Sequence, residues 1–429
     1  MIASYLLSRK INKEEQEFKL KLKQQQWQDD AYVCENDIPL TSEEIKEIDN
    51  YWKKYEFAYP EIEYKSWKTF KNRCGHFDVR HCPGVIRNLF LQKYFLDRNY
   101  HIPFQNKGML SFLYSNIKQP YTLGRRMNEI CLDENFNEIS VNEIVSLCIK
   151  YLNNNGNLIF KPFGSSGGKG ILLFTKETTE QQLYDIFNES KGFVIQEVIK
   201  QSSFMARFND SSVNTIRITT LIVDKKSVSL AALIRVGKSG NYVDNWHSGG
   251  TLLGIDINTG KCCNHVLNAK FENVKILPNG LNLEKESLII PNFEKVKKSV
   301  TDAHYRIPYI KMISWDIALD EDDNPVLIEC NFGGEMQIHE ATTGAMFGEY
   351  LDDLLDECLL KRYYKRFVKH NFLCREYHDH IEIEKYIGKR DRVYIPEHFN
   401  NKKVTAVLKT AFVGYHKKVS SRGIKYYRV

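Results

Sequence analysis

Asp316, Glu329 and Asn331 carry hard oxygen donors at a spacing that lets them meet. Glu329 and Asn331 are two apart in Val326-Leu-Ile-Glu-Cys-Asn331, so on a strand they share a face. Just upstream, Ile313, Trp315, Ile317 and Leu319 alternate with Ser314, Asp316, Ala318 and Asp320, which predicts a second strand. The segment Asp320 to Pro325 supplies turn chemistry between the two. Such a hairpin can bring Asp316 onto the face of its two partners. Two carboxylates and an amide oxygen suit magnesium, whose shell substrate phosphates complete. The same acids also suit the wet face of an ordinary amphipathic hairpin, and the hairpin alone does not choose.

Upstream residues bear on that choice. Gly164-Ser-Ser-Gly-Gly-Lys-Gly170 follows a strand-like run ending at Lys161 and leads into another, Ile171 to Phe174. Glycines let successive N–H groups turn toward one anion. Four glycines, Ser165, Ser166 and Lys169 within seven residues, preceded by Lys161, favour phosphate over a hairpin loop that merely needs glycine. The loop is neither a Walker motif nor a dinucleotide fingerprint, because both lead into a helix. Beyond it, Asn214 and Arg217 interrupt an apolar strand over 212–223, and Arg235 ends a second over 228–236. A polar, glycine-rich stretch, Val243 to Thr251, follows.

These residues need a sizeable scaffold. The 429-residue chain is long enough for two or three domains, with 42% hydrophobic and 27% charged residues as in soluble globular proteins. A net charge of +6 suits acidic ligands without demanding them. Basic and aromatic residues interleave from Trp67 to Tyr100, but no nucleic-acid-binding module accompanies them, so no nucleic-acid partner is expected. No run of eighteen apolar residues occurs, and the patch Ile2 to Leu7 is too short for a signal sequence. The ten cysteines are scattered without CxxC spacing, which predicts reduced thiols and a cytoplasmic protein.

The elements follow from periodicity and capping. Residues 9–29 read as a polar helix, and Thr41-Ser-Glu-Glu44 opens another with a capping box. Helices are expected over 142–152, 177–188, 292–304 and 349–362, and a strand over 193–197. Sequentially paired strands with intervening helices make the fold α+β rather than a doubly wound parallel sheet.

These pieces, in this order, resemble the ATP-grasp superfamily, in particular its sugar-transfer-associated branch. The resemblance covers roughly residues 100–360. It is carried by Lys161 with Gly164–Gly170, Gln196-Glu-Val198, Val213-Asn-Thr-Ile-Arg217, Asp244-Asn-Trp-His-Ser-Gly-Gly250, and Asp316 with Glu329 and Asn331. It implies a two-lobed α+β clamp with an N-terminal helical region and a small C-terminal β appendage. The implied division is 1–100, 101–364 (lobes 101–200 and 201–364) and 365–429.

By this resemblance Lys107, Lys161, Gly164, Ser165, Ser166, Gly167, Gly168 and Lys169 would take the phosphates and adenine side of ATP. Gln196, Glu197 and Val198 would line the hinge and adenine edge. Asp316, Glu329 and Asn331 would hold one or two Mg2+ ions, for which Mn2+ can stand in. Arg217 and Arg235 would face the γ-phosphate or the group phosphorylated, and Asn245 and His247 would complete the catalytic set. His247 would orient an acceptor or relay a proton, unless it makes only an ordinary loop hydrogen bond. The family's acidic residue beyond the hinge is replaced by Lys200-Gln-Ser-Ser203, leaving ribose contacts unassigned.

The implied reaction joins a carboxylate to an amine through an acyl phosphate, on a surface-polysaccharide or other glycan-linked precursor or a peptide attached to one. A kinase acting on a hydroxyl, or a nucleotide-binding scaffold without turnover, would use the same clamp. Residues 381–412 resemble one bacterial surface-type leucine-rich repeat, or else form a plain β appendage. The end is basic (Lys417, Lys418, Arg422, Lys425, Arg428), which would suit approach to an anionic membrane surface or a glycosyltransferase partner. The sequence leaves the oligomeric state open.

Overall fold

The computed structural model describes residues 36–55, 62–96, 98–164, 168–238, 249–358, 372–386, 393–395, 398–399, 402–407, 411, 416–419 and 425–428. The polar helix expected over 9–29, and the residues beyond 358 of the helix expected over 349–362, lie outside them.

Helix α1 (Ser42–Trp52) opens with the expected capping box: Thr41 Oγ1 accepts from Glu44 N–H, and Glu44 accepts from Thr41 N–H. Helix α2 (Lys65–Cys74) packs against it. Trp52 and Trp67 both donate Nε1–H to the Val79 carbonyl at 3.0 Å, pinning the loop after α2.

The first sheet is antiparallel, in the order β2-β1-β5-β3-β4. Its strands are β1 (Thr122–Met127), β2 (Ile130–Leu132), β3 (Leu158–Pro162), β4 (Leu172–Phe174) and β5 (Gly192–Glu197). The glycine loop joins β3 to β4 as a hairpin. Helices α3 (Val141–Asn154) and α4 (Glu180–Glu189), each started by a capping box, cover one face. Ile144, Cys148 and Leu152 of α3 and Leu183 and Phe187 of α4 meet Phe160, Phe174 and Phe193 there.

The second sheet is also antiparallel, in the order β10-β9-β8-β7-β6-β11-β12. It comprises β6 (Thr215–Val223), β7 (Lys226–Val236), β8 (Thr251–Ile255), β9 (Cys262–Leu267), β10 (Asn273–Val274), β11 (Met312–Leu319) and β12 (Pro325–Phe332). Helix α5 (Phe293–His304) lays Phe293, Val296, Val300 and Ala303 against Ile216, Ile218, Ile234, Trp315 and Ile317. Helix α6 (Met336–Thr343) and the N-terminal helices cover the opposite face, against Leu221, Leu233, Leu252 and Met312.

That second cover corrects one sequence expectation. Alternation along β11 predicts a dry and a wet face, yet all eight of its residues are buried. N-terminal residues cover the Met312 end of this face, and Arg217, Arg235 and Asn331 close over Asp316, which is only 1% exposed. In the C-terminal part, Phe372–Glu376 pairs antiparallel with His380–Tyr386, which pairs in parallel with Lys402–Val407. No helix among the described residues is long and apolar enough to cross a membrane.

Candidate active site between the two sheets

Strand register assembles the first half of the site. Asp316 on β11 lies directly opposite Glu329 on β12 and Arg217 on β6. Asn331 is two residues beyond Glu329, so all four share one face. Arg217 grips Asp316 through two parallel bonds, Nε to Oδ1 and Nη2 to Oδ2, both 2.8 Å. Arg235, at the end of β7, adds a third donor to Oδ2 at 3.0 Å. Asn331 Nδ2 adds a fourth at 3.2 Å. Burial alone would raise the Asp316 pKa, but Arg217 and Arg235 outweigh it and hold the carboxyl down at about 2. The cluster is therefore a buried, charge-assisted lock.

The neighbouring groups are held far more loosely. Glu329 Oε1 receives Asn331 Nδ2 at 3.4 Å, and Lys107 Nζ stands 3.5 Å from Oε2. Both lie beyond ordinary hydrogen-bond length. Asn331 uses its amide nitrogen on the two carboxylates, so neither of them engages Oδ1, its hard donor. Asp316 Oδ1 takes a single hydrogen bond, from Arg217. These donors fit magnesium. Among the described residues no three His, Cys, Asp or Glu side chains gather around one point. Two carboxylates and an amide, however, match the few protein ligands that magnesium takes when phosphates complete its shell.

Lys107 links the two sheets. It begins a 3-10 turn, Lys107–Met109, in which Asn106 Oδ1 accepts from Gly108 N–H at 2.8 Å. Arg125 of β1 donates to the Gly108 carbonyl at 2.9 Å. Phe163, at the root of the glycine loop, wedges between Gly108 and Gly192; a Cβ at these positions would lie 2.5 and 2.6 Å from its ring. The Lys107 turn and the loop root are thus packed directly together, with Lys107 Nζ reaching Glu329 across the gap.

On the first sheet Lys161 Nζ donates to Gln196 Oε1 at 2.9 Å, and Gln196 Nε2 donates to Thr122 Oγ1 at 3.1 Å. Gly164, Gly168 and Gly170 have φ of 72°, 75° and 74°, the left-handed region that turns N–H groups inward in such loops. Lys169 is exposed. Glu197 is turned to its own lobe: Oε1 accepts from Tyr121 N–H at 2.9 Å and Oε2 from Tyr151 Oη at 3.2 Å. Its N–H donates to the Tyr121 carbonyl, and Val198 N–H donates to that of Asn157. Ser165, Ser166, Gly167, Asn245 and His247 lie outside the described residues.

Several residues that support the site carry no local sequence signal. After β12, Gly333 adopts φ 72°, and a Cβ on Gly334 would lie 2.6 Å from Ser314 Oγ. This tight passage brings Glu335 to 3.9 Å from Arg217 Nη1. Beneath Arg217, Thr219 Oγ1 contacts Ser314 Oγ at 2.8 Å and His339 Nε2 at 3.1 Å. Burial, then the Arg217 charge, pushes the His339 pKa down to about 3, so His339 is neutral there. Only the Arg217–Glu335 spacing and the Thr219–Ser314 register could have flagged these residues, and both need the pairing first.

Two antiparallel α+β lobes with a glycine hairpin on one and an acid–amide pair on the other define an ATP-grasp fold. The chain belongs to the sugar-transfer-associated ATP-grasp family, which it matches over residues 101–351. No curated protein matches it in sequence. Among solved structures it is similar to the biotin carboxylase domain of Hydrogenobacter thermophilus 2-oxoglutarate carboxylase with MgADP, ADP and bicarbonate (TM-score 0.36, 12% identity, 59% of this chain and 45% of that one). It is also similar to the ATP-grasp ligase PsnB with its minimal precursor (0.35, 13%, 60% and 62%) and to an L-amino acid ligase from Bacillus licheniformis (0.32, 13%, 58% and 47%). The chain spans less than two thirds of the length of each.

Proposed function

We propose that the protein is an ATP- and magnesium-dependent ligase that joins a carboxylate to an amine, on a glycan-linked or peptide precursor. The observation that carries this reading is the pair of arginines fixed on Asp316 beside the loosely held Glu329 and Asn331. Phosphoryl transfer needs positioned positive charge more than a covalent protein nucleophile. Arg217 and Arg235 are already oriented, so they offer that charge without reorganising during reaction. Glu329, Asn331 Oδ1 and Asp316 Oδ1 would hold magnesium, which supplies further neutralisation of the triphosphate when bound. Lys107 and Lys161 approach from the other lobe, and the glycine loop covers the phosphates. Asn245 and His247 would meet the acceptor.

In this scheme the substrate carboxylate attacks the γ-phosphorus, ADP leaves and an acyl phosphate forms. An amine then displaces phosphate from the carbonyl, and the proton it loses passes to a base at the acceptor side. Family membership supports the ATP-grasp chemistry, and the sugar-transfer association of that family supports the glycan setting. The basic end of the chain would suit a cytoplasmic enzyme working beside an anionic membrane.

The test uses an acid substrate labelled with 18O in its carboxylate. Acids are first found by ADP release from a panel of uronic acids, amino acids and peptides, with amines as acceptors. Label in the released phosphate is the expected result. ADP formation with unlabelled phosphate, or with phosphate retained on a hydroxyl, overturns the ligase reading in favour of a kinase.

A further inference from the structure

Behind the ATP site, three side chains form a second chemical cluster. Cys74 ends α2 and is partly exposed. Its S–H donates to the His76 carbonyl oxygen at 3.3 Å, and its Sγ lies 4.0 Å from His81 Nε2, the outer limit of a sulfur hydrogen bond. His81 Nδ1 lies 2.7 Å from Glu340 Oε2 on α6, and neither side chain is exposed at all. Glu340 Oε1 is buried with no hydrogen-bond partner. Thus Nδ1–H donates to the carboxylate, and Nε2 is left facing the thiol. Nucleophile, base and orienting carboxylate stand in the order that activates a thiol.

We propose that Cys74 is a reactive thiolate, held as an ion pair with His81 and aligned by Glu340, and that it is a modification site for hydroperoxides. The setting has competing effects. A helix C-terminus disfavours an anion, and so do burial and the His76 carbonyl that accepts from the thiol. Against burial, His76 and His81 still bring the Cys74 pKa down to about 6. Burial also opposes a charge on His81, yet Cys74 and Glu340 raise it to about 9. At neutral pH the proton therefore sits on the imidazole. The titratable groups acting on Cys74 are His76 and His81 from the loop and Cys263 from β9, and Glu340 of α6 acts through His81. The ring of His76 can come close because Gly344, at φ 96°, has no Cβ; one would lie 2.5 Å from Nε2.

Other described thiols are shifted the opposite way. Burial pushes Cys148, Cys262 and Cys330 up to about 12, and Cys263 up to about 11. The cluster does not read as a metal site, since no metal-holding group of His, Cys, Asp or Glu occurs among the described residues. The chemistry balances without a further reactant. The thiolate attacks the terminal oxygen of a hydroperoxide, an S–O bond forms and the O–O bond breaks. The leaving alkoxide takes the proton from His81 Nε2. Sulfur is oxidised by two electrons to the sulfenic acid, and the peroxide is reduced to an alcohol, or to water when the oxidant is hydrogen peroxide.

The test is the pH profile of Cys74 carbamidomethylation by iodoacetamide, read by peptide mass spectrometry on the full chain. Expected is a midpoint near pH 6 for Cys74, and at pH 7 a rate about tenfold or more above every other cysteine. Brief hydrogen peroxide should block this labelling, and dithiothreitol should restore it. Glu340→Gln should move the midpoint toward the ordinary thiol value of about 8.5. The wild-type profile decides by itself if that variant does not fold. A wild-type midpoint at an ordinary thiol pH, or a peroxide treatment that leaves Cys74 labelling unchanged, overturns the proposal.

Discussion

The two lobes hold their cations in opposite ways. On the first sheet, Lys161 donates to a neutral amide, Gln196, which is braced by the hydroxyl of Thr122. On the second, Arg217 and Arg235 are bound to a buried carboxylate. The amide contact itself offsets none of the Lys161 charge. A cation on a carboxylate presents less charge but a fixed direction. One lobe is thus suited to attracting phosphate and the other to positioning it.

Breaking the lock should have the largest effect. Asp316→Asn leaves Arg217 buried without its counter-charge, and removing one partner of a buried pair costs about 3–5 kcal/mol. Urea unfolding should show a loss of that size, and a change within 1 kcal/mol would contradict the lock.

Acid should separate the lobes next. His339 folds at a pKa near 3 against 6.5 in the unfolded chain. Its folded value is depressed, so its contribution is complete above pH 6.5 and is lost as pH falls toward 3. His304, on α5, is shifted the same way by burial, to about 4. Asp316 stays ionised through this window, so the ion pair does not cause the loss. Residues 122–197 contain no histidine. Between pH 7 and 5, hydrogen exchange corrected for intrinsic rates should speed up in β6, β7 and β11 before β1, β3 and β5. Equal loss in both sheets would remove the distinction.

The smallest structural effect is expected on the first lobe. Lys161→Met should raise the KM for ATP about tenfold or more, the scale of one charge-assisted contact to phosphate. Its unfolding midpoint should move far less than that of Asp316→Asn. A collapse in stability would mean that Lys161 is a structural cation like Arg217.

Much of this was legible because strands have a period of two. Glu329 and Asn331 announce a shared face, and the Asp320–Pro325 turn sets Asp316 opposite Glu329. The capping boxes at Thr41, Ser140 and Thr179 fix helix starts by local chemistry. Pairing across distance was not legible. Arg217 reaches Asp316 over 99 residues, and His81 reaches Glu340 over 259. Nor does any pattern within β11 reveal that N-terminal helices cover its Met312 end. The neighbouring strands, by placing Arg217, Arg235 and Asn331 over it, turn Asp316 from a wet acid into the anchor of two arginines. In the same way Arg73, His81 and Arg87, which read as part of a basic stretch, are buried in the fold.

The account turns on Glu329, the carboxylate that the lock leaves loosely held. Its most direct test is the magnesium dependence of ADP binding, measured by calorimetry on the wild type and on Glu329→Gln. Wild type should bind ADP about tenfold or more tighter with magnesium than without, a gain of about 1.4 kcal/mol or more. Glu329→Gln should lose that gain and keep the wild-type unfolding midpoint. If Glu329→Gln still binds ADP with the full magnesium gain, Glu329 is not a magnesium ligand and this account of the site is wrong.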